Sequence, residues 1–183
     1  GPNDVDVTLY SLKKWAVLAC KGNPTALHFL FAASEVTSSV WSEVLTHRNV
    51  FLARTCVKQF LGFADDQLRR MTGQKGRGKK GQRPEIETQF GYDVKTAMHA
   101  LRLLYECKEL VSTGSITLPR PERDFLIRVR TGKYPIDGVV EMSRRLVAQC
   151  AEAEKNSPLP ERIDRQAVSK LVADCYRQAW LHS

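Results

Sequence analysis

Three side chains able to hold phosphate fall on one line of one helix-like stretch. Between Gly91 and Tyr105, Lys95, His99 and Arg102 stand at positions i, i+4 and i+7, one narrow strip of an α-helix. Two permanent cations and an imidazole on a rigid support suit charge-assisted hydrogen bonds to phosphate oxygens. On another side of the same helix Val94, Ala97, Met98, Leu101, Leu104 and Tyr105 recur at helical spacing and read as its buried stripe. A competing reading is that of an ordinary solvated face, because polar helix faces carry Lys and Arg routinely and Glu106 continues the same line.

A second source of positive charge lies just upstream. The segment from Arg69 to Arg83 holds seven Lys/Arg and no Asp or Glu, and so supplies nearly all of the formal net charge of +8. A localised polyanion contact follows more naturally than a generally basic surface. Arg69, Arg70, Lys75, Arg77, Lys79, Lys80 and Arg83 are therefore candidate phosphate-binding residues. The order of a Walker loop, GxxxxGK[ST], is absent. A solvated loop with no partner is the alternative.

Other chemistries find less support. The five cysteines form no CxxC pair and the histidines do not cluster, so neither zinc nor a disulfide framework is expected. The thiols read as small apolar groups in a reducing compartment, which places the protein in the cytoplasm. No Cys has the basic setting of a nucleophile. No run reaches the length of a membrane span. Asp65 and Asp66 are adjacent, about 100° apart around a helix, and read as solvated or Arg-paired rather than metal-binding. Gly1-Pro2 has the look of a protease-cleavage scar.

The elements that must position these residues are mostly helical. Residues 5–10 alternate like a short strand, and Ser11 caps a helix over about 12–21. Gly22 stops it, and Asn23-Pro24 starts the next helix, nearly all apolar, to about Ala32. His28 in that helix reads as a hydrogen-bonded core residue. A helix from Ser34 or Glu35 to Leu45 buries Val36, Val40, Trp41 and Val44. The longest helix is expected from Arg48 to Met71, with Gly62 marking close packing or a bend. Residues 72–88 form a flexible basic loop. The line-bearing helix then runs from Asp93 to Val111 and closes at Thr113-Gly114. Residues 116–118 form a short strand, 122–130 a helix, 136–155 a long helix burying Val139, Val140, Met142, Leu146, Val147 and Cys150. A Pro-rich connector at 156–162 leads to a last helix over 164–181. The fold class is all-α: one domain of six to eight helices, a bundle or orthogonal array with at most those two short strands.

Several stretches together resemble nucleotidyltransferases of the DNA polymerase β superfamily, of the bacterial and phage RNA-ligase-associated type. They are Leu9-Tyr10-Ser11-Leu12-Lys13-Lys14-Trp15, Lys21-Gly22-Asn23-Pro24-Thr25, Gln67-Leu68-Arg69-Arg70-Met71, Tyr92-Asp93-x-Lys95-x-Ala97-x-His99-x-x-Arg102-Leu103, Thr113-Gly114-x-Ile116-x-Leu118-Pro119 and Ser157-Pro158-Leu159-Pro160. The likeness spans almost the whole chain in order. It implies a helical part that accompanies an α/β catalytic core, with NTP and Mg²⁺ as substrate and cofactor of the complete enzyme. The Gly-Ser motif followed by an Asp-x-Asp strand, which such cores use, is absent from this chain. Asp4-Val5-Asp6 has the letters of the metal motif, but its position matches the later strand that enters the first helix. Asp6 is then the candidate third catalytic carboxylate and, with Asp4, a candidate metal ligand; an ordinary tail Asp is the alternative.

The resemblance thus implies the helical, nucleotide- or nucleic-acid-binding part of such an enzyme, inactive by itself, with residues 1–10 leading in from the core. RNA is favoured over DNA as the nucleic-acid partner, and no membrane partner is expected. The alternatives are a free-standing nucleic-acid-binding module and a protein-interaction or dimerisation domain that holds a catalytic core or a second copy.

Overall fold

The computed structural model describes residues 7–33, 36–72 and 88–181. Among them every regular element is helical: α1 (Leu12–Cys20), α2 (Pro24–His28), α3 (Ser39–Thr46), a 3-10 turn (Arg48–Phe51), α4 (Cys56–Met71), α5 (Val94–Thr113), α6 (Arg123–Arg130), α7 (Ile136–Lys155) and α8 (Arg165–Leu181). The all-α expectation holds. The two short strands do not form: residues 7–10 and 116–118 are irregular, and residues 5–6 lie outside the described part.

The line-bearing helix, α5, is the centre of the molecule. It packs against α4, α6 and α7. Being enclosed on several sides, it buries a wider sector than the spacing suggested: Ala100, Leu103, Cys107, Leu110 and Val111 join Val94, Ala97, Leu101 and Leu104, while Met98 and Tyr105 sit at the margin. Asp93 caps its start, its carboxylate accepting from the backbone N–H of Lys95 at 2.9 Å and of Thr96 at 3.0 Å. Gly114 ends it in the left-handed conformation at φ 72°, donating its N–H to Leu110 O.

A second layer is formed by α1, α3, the 3-10 turn and α8. Trp15 joins its parts: the indole N–H donates to Ala26 O at 3.1 Å, and the ring meets Trp41 and Phe51 edge-on at 4.8 and 4.9 Å between centroids. The Lys21-Gly22-Asn23-Pro24 junction forms as read. Asn23 accepts from Ala26 N–H, Pro24 opens α2, and Gly22 has φ 73°. Gly22 also touches the other layer, since a Cβ there would stand 2.7 Å from Cys56 Cα at the start of α4.

Several expectations are corrected. The expected helix from Arg48 to Met71 breaks into the 3-10 turn and α4, with Leu52 extended between them. Phe51, Leu52 and Ala53 are all 1 % exposed, and three consecutive buried residues cannot lie on one face of an amphipathic helix. The longest helices are instead α5 and α7. Ser38, not Ser34, caps α3, accepting from Trp41 N–H, which leaves Val36 outside the helix and exposed. The helix at Pro24 ends at His28 rather than Ala32. Gly62 marks no close packing, because a Cβ there would meet nothing within 4 Å. Val147 is at the surface.

Candidate phosphate site on the central helix

The loop after α5 determines where α6 lies. Arg120, almost completely buried, is held between Glu109 and Glu122, and Glu109 also accepts from the backbone N–H and hydroxyl of Thr117. Burial works to raise the Glu109 carboxyl, but the bonds from Thr117 and Arg120 outweigh it and leave the group below its ordinary range. Beyond this clamp α6 runs antiparallel along α5, with Tyr105 of α5 against Phe125 near the start of α6 and Tyr92, just before α5, bonded to Tyr134, just after α6. The ring of Tyr105 meets that of Phe125, and Phe125 meets Tyr134, at 6.1 and 5.3 Å. At the far end Tyr92 donates its hydroxyl proton to Tyr134 O at 2.6 Å.

In that register the C-terminus of α6 comes near enough for the charge of Arg130 to act on His99. The imidazole is half-buried, and burial is the largest influence lowering its pKa. Arg102, Lys95 and Arg130 lower it further by their positive charge, with Asp93 alone opposing them. The charges of three cations thus act on His99 in the same direction as burial, and favour the neutral imidazole at pH 7. Lys95, His99 and Arg102 come together as their spacing implied. Arg130 is the member that the sequence reading missed. It belongs to another helix, and only the basic run Arg123, Arg128, Arg130 before Gly132 hinted at it.

The line does not stay at the surface. Arg102 is 36 % exposed, and one turn later Glu106 is 2 % exposed. Glu106 Oε1 stands 3.7 Å from Arg102 Nε and 3.5 Å from His28 Nδ1, yet Oε1 and Arg102 Nε are both buried without a hydrogen-bond partner. His28 is therefore a core-edge residue facing an acid, and Arg102 is partly neutralised. Lys95, His99 and Arg130 make no ion pair with a carboxylate among the described residues. These three are the groups with charge or hydrogen bonds to offer a ligand.

The remaining candidates stand elsewhere. Arg69 and Arg70 pair along their own helix with Asp65 at 2.8 Å and Asp66 at 2.6 Å, one of the two readings open for those acids. Lys75, Arg77, Lys79, Lys80 and Arg83 lie outside the described residues, as do Asp4 and Asp6. Among the described residues no three His, Cys, Asp or Glu side chains are grouped so as to hold a metal ion, so no described set fits Mg²⁺. Among the same residues no helix is long and apolar enough to cross a membrane.

What this arrangement can do chemically is bind and neutralise. Lys95 and Arg130 supply positive charge from two helices, and neutral His99 can donate one hydrogen bond and accept another. Comparison with known proteins agrees with the motifs that flank the site. No curated protein and no solved structure matches the chain. A family model described as the RNA repair pathway DNA polymerase beta family matches residues 1–174, which include every element positioning Lys95, His99 and Arg130, and the chain belongs to that family.

Proposed function

We propose that this chain is the helical, nucleotide- or nucleic-acid-binding part of a polymerase-β-like nucleotidyltransferase, with RNA as the favoured acceptor. The observation that carries the reading is that Lys95, His99 and Arg102 share one line of α5, with Arg130 at the end of the neighbouring α6 near enough for its charge to act on the half-buried His99. Three cations, Lys95, Arg102 and Arg130, against two carboxylates, Asp93 and the Glu106 that partly engages Arg102, leave the surroundings of His99 net positive. Such a setting suits a phosphate of an NTP or of an RNA end. Bound phosphate would raise the His99 pKa and let the ring donate from both nitrogens. The basic segment 75–83 would add sequence-independent attraction along the backbone. The chain by itself is a binding part and does not transfer nucleotides; in the complete enzyme Mg²⁺ would supply Lewis-acid stabilisation of the triphosphate, with Asp6 and Asp4 as the acids this chain would contribute.

The test is equilibrium binding of a short RNA with and without a terminal phosphate, and of ATP, across a salt series. The terminal phosphate should strengthen binding, and Lys95→Ala or Arg130→Ala should remove that advantage and flatten the salt dependence. Equal affinity with and without the phosphate, or no effect of either substitution, overturns the reading.

A further inference from the structure

A groove lies away from that site, between α1 and α8, with a volume of about 490 Å³. Lys13 N–H donates to the Tyr176 hydroxyl at 3.4 Å, and Arg165 is close enough to act on the Cys20 thiol. The two helices therefore run antiparallel, with Lys13 and Tyr176 at one end of the groove and Cys20 and Arg165 at the other. Its floor is apolar, formed by Val17, Cys20, Val168 and Val172. Val17 is 48 % exposed on it, where the other apolar side of α1, Trp15, Ala16 and Ala19, is buried. The charged residues lining it are Lys13, Lys21 and Arg165, all cations, and none has a carboxylate partner among the described residues.

Charge and length together identify an occupant. The groove is as long as α1, nine residues or about 14 Å, with one cation at one end and two at the other. An RNA strand would want cations along its track and an aromatic platform for each base. Here the cations stand only at the ends, the single lining aromatic, Tyr176, is at one end too, and the space between them is apolar apart from Ser169. An amphipathic helix about two to three turns long, apolar on the side facing the floor and acidic at both ends, complements both the cations and the apolar surface between them.

We propose that the α1/α8 groove is a docking site for an acidic amphipathic helix of a partner protein. This site is built from helices other than those carrying His99, so it stands or falls independently of the phosphate site.

Cys20 supplies the readout, being the one cysteine of the five that is not fully buried. The full chain is treated with a maleimide in the presence of a helical peptide bearing Glu at both ends of an apolar stripe. Controls are the same peptide with Lys for Glu, a single-stranded RNA, and the chain alone across a concentration series. The Glu peptide should slow Cys20 alkylation about tenfold when present at about ten times its Kd. Protection should weaken with salt, and be lost in Val17→Glu and reduced in Arg165→Glu, both surface changes that leave the core untouched. The proposal is overturned if the Glu peptide gives no protection, if the Lys peptide protects equally, or if Val17→Glu has no effect. Protection by RNA instead, or by rising concentration of the chain alone, assigns the groove to RNA or to a second copy and likewise overturns it.

Discussion

Phe90 and Gly132 occupy adjoining space so closely that a Cβ on Gly132 would stand 2.1 Å from Phe90 Cδ1. Gly132 also has φ 73°, where an L side chain costs about 1–2 kcal/mol. The turn that ends α6, and with it the position of Arg130, depends on this contact. Gly132→Ala should lower stability by about 2 kcal/mol in urea unfolding and weaken binding of inorganic phosphate. Adding Phe90→Ala should restore part of both losses, because the clash disappears and only the backbone strain remains.

His99 gives the site a pH signature. Its pKa in the folded chain lies below the unfolded value of about 6.5, so on acidification the unfolded chain takes up the proton first. This group's contribution to stability is complete above that value and is lost as pH falls through the window between the unfolded and folded pKa. His99→Gln should remove that part of the acid slope. In NMR titration the imidazole should protonate below the ordinary His range, and saturating inorganic phosphate should move its midpoint upward. A midpoint unmoved by phosphate would mean that the anion binds elsewhere.

Arg120 is the part of the loop clamp least able to tolerate change. Replacing it with Met would leave Glu109 and Glu122 facing each other without the cation between them. Loss of one partner of a buried ion pair costs about 3 kcal/mol, and Arg120→Met should show a loss of that order in denaturant midpoint. Because α6 is positioned through this loop, phosphate affinity should fall as well.

Two glycines should respond in opposite directions. A Cβ at Gly62 enters open space within α4, so Gly62→Ala should raise stability by up to about 1 kcal/mol. Gly22→Ala sets a left-handed backbone and a 2.7 Å approach to Cys56 Cα against the substitution, and should cost about 2 kcal/mol or more. Thermal unfolding of the pair separates the two cases.

How much of this was visible in the sequence depended on whether the deciding interaction was local. The Lys21-Gly22-Asn23-Pro24 junction was readable because a cap, a left-handed glycine and an N-terminal proline act within one turn. The limits of α5 were readable for the same reason, from Asp93 and Gly114. The break before α4 was not, since Val50, Ala53 and Val57 keep helical spacing across it and only burial of Phe51 and Leu52 betrays the change. At the site, three groups on one helix were found by spacing alone. Arg130 was not, because it reaches His99 through a clamp made by Glu109, Thr117, Arg120 and Glu122, whose pairing is set by tertiary structure. Glu106 was noticed as the end of a polar line, but nothing in its spacing indicates that it is buried against His28.

The antiparallel seating of α6 on α5 has a mechanical consequence. The positive charges of Arg130 on α6 and of Lys95 and Arg102 on α5 all reach His99, so like charges oppose one another across this joint while the ring contacts of Tyr105, Phe125 and Tyr134 hold it shut. An anion seated between the two helices reverses the sign of that force and acts as a bolt across the joint. Amide hydrogens of α6 should then exchange more slowly with ligand present, while those of α1 and α8 keep their free-state rates.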